Sequence, residues 1–309
     1  MSRESTRVSV DVEGRTLSLS NLDKVLYPET GFTKGEVLDY YTRIAAVMLP
    51  HVGNRPLTVK RYPDGVDGKF FFEKNAPSHT PEWVRTVRLP TPGSTKSRDV
   101  IDYAVITELA TLVWASNLAA LELHVPMWRV DDDDRPCNPD LLVFDLDPGT
   151  PATIVECCAV AQILRDVLDA DGLHGVPKTS GSKGLQLYVP LDATAPWEDV
   201  HGYARALAQR LEREHPKLVV SQMRKELRTG KVLVDWSQNS PVKTTVAVYS
   251  LRARQAPTVS TPVTWDEVDA CKRPEDLRFD AATVLARVDT HGDLFADCAH
   301  STQQLPGVR

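Results

Sequence analysis

Residues 141–149 read Leu-Leu-Val-Phe-Asp-Leu-Asp-Pro-Gly: an apolar run leads into Asp145 and Asp147, and Pro148-Gly149 stops it. On a strand, positions i and i+2 point to the same face, so this spacing sets two carboxylates side by side at a strand end. Adjacent carboxylates repel unless something positive lies between them, and a hard divalent cation with oxygen ligands is one answer. The motif taken alone fits equally well a buried strand running into an Asp-Pro-Gly turn, with Asp147 capping the turn. Residues 231–236, Lys-Val-Leu-Val-Asp-Trp, repeat the pattern, since an apolar strand delivers Asp235 near its end. Three such carboxylates are what two-metal nucleotidyl transfer requires. Asp145 and Asp147 would bridge both metals, and Asp235 would hold the one that activates the attacking hydroxyl.

Other stretches point to phosphate and to stacking. Thr179-Ser180-Gly181-Ser182-Lys183-Gly184 combines small residues, a lysine and two glycines, so backbone N–H groups can approach phosphate oxygens. It is not a Walker A loop, because a strand (Leu185–Leu191) and not a helix follows. Lys34 falls in the first turn of a helix, where free N–H groups favour an anion; a solvated lysine is the plainer reading of a single residue. Phe70, Phe71 and Phe72 cannot all face inward on one strand. They form either an exposed stacking platform or a strand buried between two layers. His124, in the strand Glu122–Val125, lies opposite the apolar positions, and a lone histidine is more often structural.

The elements that must carry these residues follow from periodicity and capping. A short strand is expected at Thr16–Leu19. Thr33 and Glu36 form a capping box opening a helix to about Met48, ended by Leu49-Pro50. Residues 56–62 and 69–74 form a hairpin, 91–99 a small, polar, basic and mobile loop, and Thr107–Asn117 a helix. Thr150 is expected to cap the next helix with Pro151 at its first position, closed by Gly172. An amphipathic helix runs from about Trp197 to Glu214. Residues past about 294 read as frayed. No repeat or linker divides the chain.

Composition is that of a globular protein: 309 residues, 42% hydrophobic and 25% charged, with no apolar run that would span a membrane and no signal-peptide pattern at the N-terminus. Five cysteines without zinc-knuckle spacing read as reduced thiols in a cytosolic protein. The net charge of −6 does not advertise nucleic-acid binding, but its distribution is uneven. Residues 217–254 carry eight Lys/Arg against two acids, and residues 131–150 carry seven Asp against one Arg. This fits a metal site beside a polyanion groove, or simply two solvated faces.

Six ordered motifs carry a resemblance: Asn-Leu-Asp-Lys-Val-Leu-Tyr-Pro at 21–28, Phe-Phe-Glu-Lys at 71–74, Ala-Leu-Glu-Leu-His-Val-Pro at 120–126, Val-Phe-Asp-Leu-Asp-Pro-Gly at 143–149, Thr-Ser-Gly-Ser-Lys-Gly-Leu at 179–185 and Val-Asp-Trp-Ser-Gln-Asn at 234–239. Over roughly residues 16–295 the chain resembles the polymerase domain of bacterial ligase D, a branch of the archaeo-eukaryotic primase superfamily. The resemblance implies an α+β primase-polymerase fold, with an RRM-like antiparallel catalytic sheet flanked by helices and an N-terminal subdomain. Its domain would span 16–295, after a lead-in at 1–15 and before a flexible tail at 296–309. By resemblance, Asp145, Asp147 and Asp235 are the metal-binding and catalytic aspartates. His124, Ser180, Lys183, Gln186, Arg252 and Lys60 line the nucleotide site. Lys24 and Lys34 grip a downstream 5′-phosphate, Phe71 and Phe72 stack on template or downstream duplex, and Arg228 and Gln238 also contact DNA. The loop at 91–99 matches one that helps align DNA ends.

The implied reaction is extension of a DNA 3′ end at gaps or double-strand breaks, with ribonucleotides preferred and two Mn2+ or Mg2+ per site. The implied partners are gapped or broken DNA with a 5′-phosphate, nucleoside triphosphates, Ku and a ligase, with no membrane, in the nucleoid-associated cytoplasm of a bacterium. The alternatives are a DNA-end bridging module with decayed catalysis and a de novo primase. One departure stands out: family members commonly carry histidine at the position of Gln186, and glutamine can donate a hydrogen bond but cannot carry charge or relay a proton.

Overall fold

The computed structural model describes residues 7–90, 100–300 and 302–307; the expected loop at 91–99 lies outside the described residues. In chain order the strands of the two main sheets are β1 (Thr58–Arg61), β2 (Phe71–Glu73), β3 (Ala120–Val125), β4 (Leu141–Pro148), β5 (Val176–Thr179), β6 (Leu185–Pro190), β7 (Val219–Val220), β8 (Val232–Asp235) and β9 (Thr245–Val246). One sheet has the order β9-β3-β1-β2 and the other β5-β6-β4-β8-β7. Both are antiparallel except where β7 lies parallel to β8. That pair departs from the all-antiparallel expectation because the excursion 221–231 carries the chain back to the end from which β7 began. The main helices are α1 (Lys34–Val52), α2 (Leu109–Asn117), α3 (Ile154–Ala170) and α4 (Trp197–Glu214).

β4 is the spine of the larger sheet. It reads as a near-continuous apolar run because both of its faces are covered, with Leu142, Val143, Phe144 and Leu146 all buried. β8 pairs with β4 only from Asp145 to Pro148. Beyond that point the fully buried Asn239 takes over, accepting from Val143 N at 2.9 Å and donating to Val143 O at 2.7 Å. A side-chain amide thus continues the ladder where the strand has ended, which satisfies two buried backbone groups.

Several expectations are corrected. α1 does carry the Thr33–Glu36 capping box, but it runs through Pro50 to Val52. A proline so near the end forfeits only one backbone hydrogen bond, and burial of His51 and Val52 favours the last turn. α3 begins at Ile154, capped by Thr153 in a capping box with Glu156, not by Thr150 with Pro151. The reciprocal Thr153–Glu156 bonds satisfy two donors, whereas the Gly149 and Thr150 carbonyls receive Gly230 N. The lead-in is structured from Arg7: Arg7–Val12 pairs with Arg15–Ser20 in a hairpin. The tail expected to be flexible is docked in its described part. Asp297–His300 is helical, Cys298 and Leu305 are buried, and Gln303 O accepts Asp192 N.

Candidate active site

The sheet registers line up four polar side chains in one row. Lys178 on β5 lies opposite Gln186 on β6, Gln186 opposite Asp145 on β4, and Asp145 opposite Asp235 on β8. Directly opposed residues share a face of the sheet, and Asp147, two residues on from Asp145, shares it too. Burial, then the charges of Asp147 and Asp235, push the Asp145 carboxyl well above its ordinary range, against the pull of a Gln186 hydrogen bond and the Lys178 charge. Asp147, at the exposed end of the strand, is raised by partial desolvation and by Asp235, with Arg228 and Arg252 opposing. Carboxylates this poorly compensated favour a bound cation, and an all-oxygen donor set suits a hard divalent one.

The third carboxylate is held differently. Asp235, only 4% exposed, accepts Ser237 N at 2.9 Å and Ser237 Oγ at 2.7 Å on Oδ1, and Gln238 Nε2 at 2.8 Å on Oδ2. Among the described residues the three aspartates do not converge into a closed ligand cluster. Asp235 keeps lone-pair capacity on Oδ2, so donor type and charge fit a divalent cation once Asp235 shares that oxygen. Two residues expected on the DNA side are turned inward. Gln238 is spent on Asp235, and Arg228 Nη2 donates to Met223 O at 2.6 Å while its charge acts on Asp147.

The Ser180 loop is less open than expected. Ser182 N and Gly184 N both donate to Ser180 Oγ, and Ser180 N donates to Gly184 O, so these amides serve the loop and not a ligand. Gly181, at φ +67°, cannot be replaced: a Cβ there would sit 2.6 Å from Val259 C and 2.7 Å from Arg252 Cγ. Arg252 Nη1 donates to Ser180 O, and Arg254 donates to Ser182 Oγ. Lys183 is exposed at the tip. A cavity of about 720 Å³ opens beside the loop, lined by Pro148, Thr179, Lys183 and Arg254 among others; none of the three aspartates lines it.

The sequence reading missed the residue that gathers the cations. Glu122 is buried, and its carboxylate meets His124 Nε2 at 3.1 Å, Arg252 Nε at 3.5 Å, Lys60 Nζ at 3.8 Å and Ala253 N at 3.1 Å. Burial alone would raise its pKa, but the His124 hydrogen bond and the charges of Arg252, His124 and Lys60 hold it at about 2. Burial pushes the His124 imidazole down despite Glu122, which favours its neutral form. Glu122 faces Lys60 on β1, which faces Phe72 on β2.

All three phenylalanines are exposed (Phe70 53%, Phe71 42%, Phe72 50%), which rules out the buried strand. They serve two sides. Phe72 meets His124 edge-on at 5.8 Å, and Lys60 lies over Phe70 at 4.2 Å. Phe71 turns to the opposite face, under Arg61 at 5.2 Å.

Lys34 is also on the Arg61 side, 5% exposed, donating to Ser20 O at 2.7 Å and Asn117 Oδ1 at 2.8 Å. Burial, Lys24 and Arg61 bring its pKa to about 8. The free helix amides expected there are engaged, since Lys34 N bonds Lys24 O and Gly35 N bonds Leu22 O. The attraction for an anion therefore rests on the ammonium charge. Lys24 itself reaches Asp64 at 2.9 Å.

A family model described as LigD, primase-polymerase domain, matches residues 33–295. Across 279 residues the chain is 47% identical to the multifunctional non-homologous end joining protein LigD of Mycolicibacterium smegmatis, covering 90% of this chain and 35% of that protein. It is 31% identical over 291 residues to the bifunctional non-homologous end joining protein LigD of Bacillus subtilis, covering 94% and 45%. The chain thus spans well under half the length of these curated relatives. A solved structure of the polymerase domain from Mycobacterium tuberculosis ligase D in complex with DNA superposes with a TM-score of 0.86 at 43% identity, covering 93% of this chain and 99% of that one. The α+β reading of the sequence therefore holds.

Proposed function

This chain belongs to the LigD primase-polymerase domain family, and from that premise we propose that it carries out template-directed nucleotidyl transfer in non-homologous end joining or gap filling. It extends a DNA 3′ end at a gap or break whose downstream edge carries a 5′-phosphate. The observation that most supports this is the row in which Asp145 opposes Asp235, with Asp147 beside it and the Ser180 loop adjacent. The 3′-hydroxyl attacks the α-phosphate of a nucleoside triphosphate and pyrophosphate leaves. Two divalent cations, manganese or magnesium, held by Asp145, Asp147 and Asp235 would supply Lewis-acid stabilisation of the charge developing on that phosphate.

The chain's own groups do the positioning. Lys183 and Arg252 hold the triphosphate as charge-assisted donors, and the Ser180 hydroxyl retains a proton to donate. Glu122 fixes Arg252 from behind, so the guanidinium is oriented before the nucleotide arrives. Lys60, neutral His124 and Gln186 complete the nucleotide site. Ku and a ligase are the further partners, and the setting is the nucleoid-associated cytoplasm of a bacterium; no helix among the described residues is long and apolar enough to cross a membrane.

Phe72, beside His124, supports the template and incoming nucleotide, and Phe71, on the Arg61 face, supports the downstream duplex. Stacking on an aromatic contributes about 1–3 kcal/mol per base. Phe72→Ala is therefore expected to weaken binding to gapped DNA by about tenfold or more in fluorescence anisotropy. Its melting temperature should stay near wild type because the ring is half exposed; a large loss of stability would count against a surface stacking role.

Lys34 is a buried cation whose described side-chain partners are neutral oxygens, which a terminal phosphate would compensate. The decisive experiment is primer extension on gapped DNA with and without the downstream 5′-phosphate, with manganese, comparing ribo- with deoxyribonucleotides. Wild type is expected to extend the phosphorylated substrate in preference. Lys34→Met, which keeps the packing and removes the charge, should erase most of that preference while leaving extension of the unphosphorylated gap nearly unchanged. No extension together with tight, phosphate-dependent binding would instead identify a DNA-end bridging module.

A further inference from the structure

Lys178 is a buried lysine that the reaction as described does not use. It is 1% exposed, and Nζ donates to Gln186 Oε1 at 2.5 Å, Ser260 Oγ at 2.7 Å and Val246 O at 3.1 Å. None of these partners is charged. The carboxylate that compensates Lys178 lies one strand further on: burial brings the lysine down to about 7, and Asp145 opposes that fall by raising its affinity for the proton. Gln186 stands between them, accepting from Lys178 and lying directly opposite Asp145 in the sheet, where its amide lowers the Asp145 pKa. A carboxamide can accept on one side and donate on the other, and the Lys178 bond fixes which way round it sits. The row Lys178–Gln186–Asp145–Asp235 therefore runs across four strands from a cation to an anion pair.

We propose that Lys178 is a positioning residue that acts through Gln186. It holds Asp145 in place and, as an internal counter-cation, weakens the hold of the nucleotide-free aspartates on divalent metal, so that tight metal binding awaits the triphosphate. This rests on the aspartates being the metal site. With no metal or nucleotide bound, clustered carboxylates without a cation would either stay protonated or capture metal indiscriminately. The lysine limits both.

The test is the affinity of the nucleotide-free protein for Mn2+, measured by electron paramagnetic resonance or calorimetry. Lys178→Gln keeps hydrogen-bond donors to Gln186, Ser260 and Val246 and removes the charge. It is expected to bind Mn2+ on the order of tenfold more tightly than wild type, because one positive charge has left the vicinity of Asp145. The gain should shrink when a non-hydrolysable nucleotide is present. Unchanged or weaker Mn2+ binding by a folded Lys178→Gln protein overturns the proposal, since a purely structural lysine could only loosen the site on removal. If that variant does not fold, Lys178→Met, which keeps the stem and removes the charge, decides by the same measurement, and Mn2+ binding that is not tightened in it overturns the idea. Absence of Mn2+ binding by wild type would instead overturn the metal-site reading on which the proposal stands.

Discussion

Asp145→Ala is expected to lower primer extension by at least about a thousandfold while binding of gapped DNA stays within a few-fold of wild type. The side chain is central to the row on β4, with Asp147 on its own strand and Asp235 directly opposite. Removing it takes away a ligand from both cations the reaction needs, and losses of several kcal/mol in transition-state stabilisation follow from such a change. The groups proposed to face DNA, Phe71, Phe72, Lys24 and Lys34, belong to the smaller sheet and the α1 region and should be unaffected. Single-turnover extension and anisotropy on one substrate check both halves, and residual extension within tenfold of wild type would remove Asp145 from the metal set.

The same residue makes a prediction of opposite sign for stability. Because its folded-state pKa is raised, Asp145 contributes stability below the ordinary carboxylate range and loses it as pH rises towards neutrality. Metal-free wild type should therefore gain stability from this group as pH falls from about 8 to about 5. Asp145→Asn should melt higher than metal-free wild type at about pH 8, with the difference closing as pH falls. Manganese should stabilise wild type and do little for the variant.

The parts of this site legible in the sequence were those in which one strand carries its own signal. An apolar run ending in Asp-x-Asp is readable because strand periodicity alone fixes the shared face, and α4 is readable because its apolar stripe has the helical period. The start of α3 was misplaced because Thr150-Pro151 has the residue types of a cap, whereas the observed cap, Thr153, has a glutamate three residues on. The amides around Ser180 and at the start of α1 look available in sequence, yet the Ser180 loop spends the first on itself and the preceding residues 22–24 accept the second. Phe71 and Phe72 are adjacent, so strand alternation could have signalled that they serve different faces. Glu122 and Lys178 were illegible for a different reason. Their partners, Arg252 for one and Val246 and Ser260 for the other, lie far along the chain and meet them only through sheet pairing.

Glu122 accordingly yields the second large effect. It is a buried carboxylate facing Lys60, His124 and Arg252, and removing one member of such a cluster leaves the remaining charges buried without compensation, at a cost of about 3–5 kcal/mol. Glu122→Ala should show a loss of that size in urea unfolding near neutral pH. The acid limb gives the sign. A carboxylate held at about 2 contributes stability above its ordinary range, and that contribution fades as pH falls from about 4.5 towards 2. The gap between wild type and Glu122→Ala should therefore narrow in that window. Glu122→Gln, which retains the shape and a hydrogen-bond acceptor, should recover part of the stability but not the hold on Arg252. The guanidinium would then reach the triphosphate only after reorganising, and kcat/KM for the nucleotide should fall by about a hundredfold, with DNA affinity preserved. Wild-type nucleotide kinetics in a stable Glu122→Gln protein would show that Arg252 is oriented by the Ser180 carbonyl alone, and Glu122 would then be a packing residue without a part in the reaction.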